Sequence, residues 1–376
     1  MEFQVARNPF LKALYRVQSL VDRHNIKPIL SNALLETQEG YLKIEATNLE
    51  VSLRTRCAVD IIEPGSITIN AKTLFEVVSE LPETEMVVLR TDARGRVRLS
   101  CGRAKFELAC LPSEQFPVIP QADGAYRFVL DPALLSEMLA KTHFAMSEDE
   151  TRYALNGVFF QVVPFAGEGE GEGMIRVVAT DSHRLAMVQR SVAALPAEAR
   201  EVIVPRKAVQ EVRRLLEEDA QPVEVIVDDN YIQMVRPEVM LVAKLVEGRF
   251  PDYRRVIPQQ HPLHLMVNRE QLLRVVRRMS ALSHEKSTGI RLEIEGGQMR
   301  FNSNNPEQEE AEEEMQVSLE GGDTLMVGFN ARYLREFLSV MEGEDVSFFM
   351  SSEAAPVLLT DPLQRGTQFV LMPMST

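Results

Sequence analysis

The chain has little of what marks a secreted scaffold, a membrane segment or an enzyme site. Its three cysteines, Cys57, Cys101 and Cys110, are odd in number, lack metal-ligand spacing and lie in strand-like runs. That pattern argues against a disulfide framework or a cysteine zinc site and predicts buried, reduced thiols in a cytoplasmic protein. No apolar run approaches the length that spans a bilayer. The opening stretch MEFQVARNPF has no signal-peptide apolar core. There is no phosphate-cradling G-x-x-x-x-G-K-S/T, no G-x-G-x-x-G and no G-x-S-x-G elbow. His261 and His264 have no nearby cysteine or acidic partner to complete a metal site. Neither cofactor nor metal is expected.

Positive charge is also in deficit, with 41 Lys and Arg against 55 Asp and Glu and a net charge of −14. Taken alone, that argues against nucleic acid. The charge is unevenly placed, however. Acid collects in Glu168–Glu172 and Glu307–Glu314, whereas helix-like stretches carry Lys12, Arg16, Arg23, Lys72, Lys141, Arg206, Lys207, Arg213, Arg214, Arg269, Arg274, Arg277, Arg278, Arg332 and Arg335. Two readings follow. Either these stretches share one locally basic surface, or their cations are solvated and paired at i,i+4 with acids such as Glu211 and Glu270.

What is present is a repeat. EVIVPRKAVQEVRRLL (Glu201–Leu216) reads as a short strand, a proline break and an amphipathic helix. Ala208, Val209, Val212, Leu215 and Leu216 fall on one side of the wheel; Arg206, Lys207, Gln210, Arg213 and Arg214 fall on the other. Five stretches share the plan: Phe3–Leu14, Ile67–Val78, Arg127–Leu139, Leu263–Val276 and Thr324–Leu338. In four units an Asn or Asp stands four residues before a Leu, at Asn70, Asp131, Asn268 and Asn330, where it can cap a helix N-terminus. Pro9 and Pro132 suit a first helical turn. Short β-like runs follow each helix, so the unit is β-α-β-β-β. Two units make a domain, and six make three domains of one kind, at 1–122, 123–257 and 258–376.

Between the units, Leu20–Pro28 reads as a polar turn offering Arg23, His24 and Lys27. In Cys101–Pro112, Phe106 and Leu108 alternate onto one strand face, and Phe106 taken alone reads as core. Pro112–Gly124 reads as a linker, Thr151–Val163 as a strand and Ala166–Gly173 as a flexible loop. The acidic block Asn302–Glu314 reads as a solvated loop at the edge of a strand. Asp181, Ser182 and His183 invite a hydrolase triad, but three adjacent residues do not normally face one another as nucleophile, base and orienter; a tight polar turn is the competing reading. The end, QFVLMPMST, is apolar and needs either a core or a partner to cover it.

ATDSHRLAM, VIVPRKAV, KLVEGRFPDYRRVIP, NNPEQEEAEE and the terminal LMPM together resemble the bacterial DNA polymerase III β subunit family, the sliding clamps. The resemblance runs through the whole chain in order. It implies an α+β fold of three similar clamp domains, closing as a head-to-tail dimeric ring with helices inside and sheets outside. It implies a non-catalytic processivity factor that encircles double-stranded DNA without reading sequence. Implied partners are a second copy, the DNA polymerase III alpha subunit, a clamp loader, and repair polymerases, ligase and mismatch-repair proteins bound through short linear peptides. A hydrolase, or a peptide-binding scaffold without DNA, is the alternative.

The family's positions carry over residue by residue. For DNA they fall on Arg23, His24, Lys72, Arg152, Tyr153, Arg206 and Lys207, to which the basic helix face adds Arg213 and Arg214. Here the chain departs from the family, because Glu148 and Asp149 make the loop before Arg152 acidic. For the partner-peptide pocket they fall on Leu155, Thr180, His183, Arg184, Leu185, Pro251, Val256, Asn330, Tyr333, Pro356, Val370, Met372, Pro373 and Met374, with Ser182 and Pro356 placed to tune preference. For the dimer interface they are Arg103, Lys105, Phe106 and Leu108 against Ala281, Leu282, Glu309, Glu310, Glu312 and Glu313.

Overall fold

Among the described residues, a strand runs directly into a helix six times. In the computed structural model, Glu2–Ala6 leads into α1 (Arg7–Gln18), Ser66–Asn70 into α2 (Ala71–Ser79), and Tyr126–Leu130 into α3 (Pro132–Ala140). Arg200–Pro205 leads into α4 (Arg206–Leu216), Leu263–Asn268 into α5 (Arg269–Met279), and Thr324–Asn330 into α6 (Ala331–Val340). The structure describes residues 1–92, 96–165, 171–259, 262–282, 289–304, 309–322 and 324–374.

The capping signal explains where four helices start. The side chains of Asn70, Asp131, Asn268 and Asn330 each accept a backbone N–H of the first turn, at 3.0 Å from Thr73, Leu134, Gln271 and Arg332 respectively. Each bond satisfies one of the donors that a helix leaves without an intrahelical partner.

The chain divides into two compact units, one of residues 1–134 with 207–245 and one of residues 135–206 with 246–376. In the first, a five-stranded antiparallel sheet runs Asp60–Glu63, Glu2–Ala6, Met86–Thr91, Val97–Cys101, Ala104–Leu108. A nine-stranded sheet is continuous because Val51–Ala58 pairs with Val239–Lys244, from Thr55 opposite Val239 to Val51 opposite Ala243. In the second unit another nine-stranded sheet is joined in the same way: Arg184–Ala193 pairs with Thr367–Leu371, from Arg184 opposite Leu371 to Val188 opposite Thr367. A four-stranded sheet runs Glu310–Gln316, Gln298–Asn304, Gly289–Glu295, Thr324–Asn330. The helices bury one face: on α4, Ala208, Val209, Val212, Leu215 and Leu216, as the wheel requires.

Several expectations are corrected. The strand placed at Thr151–Val163 begins at Gly157; Arg152 and Tyr153 lie instead at a 3-10 turn. Of the loop at 166–173, Glu172 and Gly173 belong to the strand Glu172–Thr180, and 166–170 lie outside the described residues. The Pro112–Gly124 linker is anchored at Phe116 and Ile119, which are buried against Val242. The acidic block is itself a strand from Glu310 onward, where Arg300 pairs with Glu312 and Glu314 at 3.1 and 3.0 Å. Phe106 is 36 % exposed, because Ala104–Leu108 is an outer strand of its sheet. Cys57 and Cys101 are buried and Cys110 is half-buried; burial, with Glu238 close by, pushes the Cys57 thiol up to about 12, so it stays protonated and unreactive. His264 stacks on Phe349 at 4.6 Å, while His261 lies outside the described residues.

Candidate functional site

The polar stretch at Asp181 folds as a tight turn between paired strands. Asp181 Oδ1 accepts the backbone N–H groups of His183 and Arg184 at 2.9 and 3.0 Å, and Oδ2 pairs with Arg184 Nε at 3.0 Å. Its carboxylate is therefore committed to the turn, which argues against a role orienting a catalytic histidine. Ser182 takes a left-handed backbone, with φ of 78°. That places the turn at the lip of a cavity of about 180 Å³ lined by Leu155, Thr180, Ser182, Arg184, Leu185, Pro251, Asp252, Tyr253, Val256, Val370 and Met372.

Apolar packing builds the floor. Phe159 stacks on Phe250 at 5.0 Å, and Leu155, Leu185, Tyr253 and Val370 belong to the same buried cluster. The segment after the strand Thr367–Leu371 closes the wall through its backbone: Met372 N–H donates to the His183 carbonyl at 3.0 Å, and Met374 N–H to the Gly328 carbonyl at 2.9 Å.

Eight expected pocket residues line this cavity: Leu155, Thr180, Arg184, Leu185, Pro251, Val256, Val370 and Met372. His183, Asn330, Tyr333, Pro356, Pro373 and Met374 are not among its lining residues. Asn330 is spent on the α6 cap, and Tyr333 lies under the Arg184 guanidinium at 4.2 Å. Burial raises the Tyr333 phenol above its ordinary pKa, and the negative charge of Asp181 adds to that. Asp252 and Tyr253 line the cavity without having been expected; the signal was present in FPDY, where a tyrosine two residues after a proline could turn back onto the apolar floor. Arg184 itself is 5 % exposed and pairs with both Asp181 and Glu336, so it is a structural strut of the wall rather than a free cation.

The cations expected for DNA divide in two. In the first unit, Lys207 and Arg214 bind the buried Glu211 at 3.0 and 2.9 Å. They also cap the end of α1: Lys207 donates to the Ser19 carbonyl at 3.1 Å and Arg214 to the Tyr15 carbonyl at 3.2 Å. Cations at a helix C-terminus complement both its free carbonyls and its dipole. Burial alone would raise the Glu211 pKa; the Ser19 hydroxyl, Arg214 and Lys207 outweigh it and hold the carboxyl below its ordinary value. Arg213 and Lys72 are half-buried, His24 is exposed, and Arg23 pairs with Glu76 at 3.2 Å. Arg16 is also buried, against Glu218. Of these, Lys207 pairs with Glu211 at i,i+4, while Arg214, Arg16 and Arg23 meet acids at other spacings.

In the second unit, Tyr153 is 72 % exposed and Arg152 pairs with Asp149 at 3.6 Å. Hydrogen bonds from Thr151 hold the Asp149 carboxyl below its ordinary pKa, with Arg152 assisting. Arg206 binds Glu148 at 3.1 Å and the carbonyls of Met146 and Ser147 at 3.2 and 3.3 Å. Lys141, another of the helix cations, is buried between Glu137 and Glu342 at 2.6 and 3.0 Å.

The residues expected at a subunit contact lie on two open sheet edges. Lys105, Phe106 and Leu108 are on the outer strand Ala104–Leu108, with Arg103 exposed in the turn before it. Glu310, Glu312 and Glu313 are on the outer strand Glu310–Gln316, preceded by exposed Glu309. Ala281 and Leu282 end a 3-10 turn after α5. Glu313 already pairs with Arg278.

Comparison with known proteins places this geometry. Family models of the DNA polymerase III beta subunit match in chain order: the N-terminal domain at residues 1–120, the central domain at 129–252 and the C-terminal domain at 254–375. The chain is 37 % identical to the beta sliding clamp of Pseudomonas aeruginosa over 376 residues, and 36 % identical to that of Caulobacter vibrioides over 375, each time covering 100 % of both chains. A crystal structure of the Bartonella birtlesii sliding clamp bound to griselimycin has a TM-score of 0.94 at 35 % identity, again over 100 % of both chains. With its full length matched in sequence and in fold, the chain belongs to the DNA polymerase III beta subunit family, the beta sliding clamps.

Proposed function

We propose that two copies of this sliding clamp close head to tail around duplex DNA, with domains at 1–122, 123–257 and 258–376. The clamp is a non-catalytic accessory subunit that keeps DNA polymerase III on its template. The observation that carries the ring reading is the pair of open sheet edges, one presenting Arg103, Lys105 and Phe106, the other a row of glutamates. An exposed edge offers unpaired backbone groups to another chain, and opposite charge fixes which edge it meets. DNA contacts are assigned to Arg23, His24, Lys72, Arg152, Tyr153 and Arg206, all to phosphate and none to base edges. Lys207, Arg213 and Arg214 add to the field more than to direct contact. Location is cytoplasmic in this reading; no helix among the described residues is long and apolar enough to cross a membrane.

The cavity beside Ser182 is assigned to a short linear peptide carrying apolar anchors, shared by the polymerase alpha subunit, the clamp loader, repair polymerases, ligase and mismatch-repair proteins. Its floor of Leu155, Leu185 and Val370 suits such anchors, and Met372 at the wall can repack for different guests. Two measurements test the whole. Sedimentation should give the mass of two chains, and clamp loaded on nicked circular DNA should be retained until the circle is cut. A monomer, or equal loss before and after linearisation, overturns the ring. Deleting Met372–Thr376 should abolish peptide binding and leave the dimer; retained binding overturns the pocket assignment.

A further inference from the structure

Two arginines from different helices reach toward one exposed carboxylate. Glu148 Oε1 lies 3.1 Å from Arg206 Nη2 and 4.0 Å from Arg332 Nη2. Arg206 is the first residue of α4 and Arg332 the second of α6, so both stand at the positive ends of helix dipoles. Neither depends on Glu148 for its position. Arg206 Nη1 is fixed by the Met146 and Ser147 carbonyls, and Arg332 Nε by Glu336 at 3.2 Å. Two other acids nearby are committed elsewhere: Asp149 to Thr151 and Arg152, Glu336 to Arg332 and Arg184. Glu148 itself has a side chain 70 % exposed.

We infer that Arg206 and Arg332 form a phosphate site that Glu148 fills in the free protein, and that a backbone phosphate of duplex DNA enters by displacing it. The inference rests on the DNA-encircling reading. A guanidinium recognises carboxylate and phosphate oxygens through the same charge-assisted hydrogen bonds. The ion pairs to be broken are solvent-facing and cost little to give up, whereas the arriving phosphate also releases counterions from the DNA. Glu148 then acts as a built-in competitor that weakens DNA contact without altering the fold.

The test compares the wild type with E148Q, E148Q/R332A and E150Q, using fluorescence anisotropy of a labelled DNA duplex across a salt series. Glu150 is an exposed neighbour, so E150Q makes the same change in net charge. E148Q should bind about two- to fivefold tighter at low salt, the range set by losing one exposed pair. The gain should vanish in E148Q/R332A and be smaller in E150Q. An unchanged E148Q, or a gain that E150Q reproduces or that survives R332A, overturns the inference. Retention of wild type on nicked circular DNA separates the two claims: if it is retained while E148Q is unchanged, only this site falls; if it is not retained, the encircling reading falls and the site with it.

Discussion

Helices α4 and α5 look alike in sequence and do different things with their cations. Both are amphipathic, both end on paired arginines, and both have an acid four residues from a cation. On α4 the acid is Glu211, whose side chain is 4 % exposed, and Lys207 and Arg214 are turned onto it and onto the end of α1. On α5 the acid is Glu270, 64 % exposed, and Arg274 pairs with it at the surface while Arg277 is exposed beside it. A positive residue in the sequence is thus not the same as positive charge available to a partner. What separates the two is the depth of the acid, and depth is set by the neighbouring element.

Exchanging the two acids tests this contrast most severely. E211Q should lower stability by about 3 kcal/mol in urea denaturation, because it removes the buried carboxylate that two half-buried cations are turned onto; E270Q should leave the midpoint where it was. The E211Q deficit should also depend on pH. The folded pKa of Glu211 is held below the ordinary value of about 4.3, so its contribution is complete above that pH and disappears as pH falls through the folded value. The two denaturation curves should converge in acid, and a gap that stays constant would mean the carboxylate charge is not what stabilises. A smaller effect is expected from R214M, about 1–2 kcal/mol, since it removes bonds to α1 carbonyls while keeping the stem. R277Q, at an exposed position, should leave stability unchanged. N268A should cost about 1 kcal/mol from loss of the α5 cap, a loss α4 cannot suffer because its strand ends on Pro205. Equal responses from the two helices in all of these would dissolve the distinction.

Local rules made the architecture readable. Helix register and the Asn or Asp caps located all six strand–helix units, and the Asp181 turn was visible in the spacing of its polar residues. The acidic strand beginning at Glu310 was hidden because its glutamates suggest solvent; only pairing with Gln298–Asn304, which brings Arg300 alongside, makes it a strand. Phe116 and Ile119 looked like linker because their partner, Val242, lies far along the chain. In the cavity, most lining residues came from the family resemblance, whereas Tyr253 and Asp252 depend on how the segment after Pro251 folds back. The fate of Lys207 and Arg214 was beyond sequence for the same reason, since Ser19 and Tyr15 lie 188 and 199 residues earlier in the chain.

The ladder from Arg184 opposite Leu371 to Val188 opposite Thr367 puts Arg184, Leu185 and Val370, on the cavity lining, into a single sheet. On the peptide-binding proposal, a guest meets these side chains already positioned, with Met372 beside them left to adjust. Nearly all the ordering on association then falls on the incoming chain, and stiffening that chain in its bound shape should tighten it more than adding atoms to it.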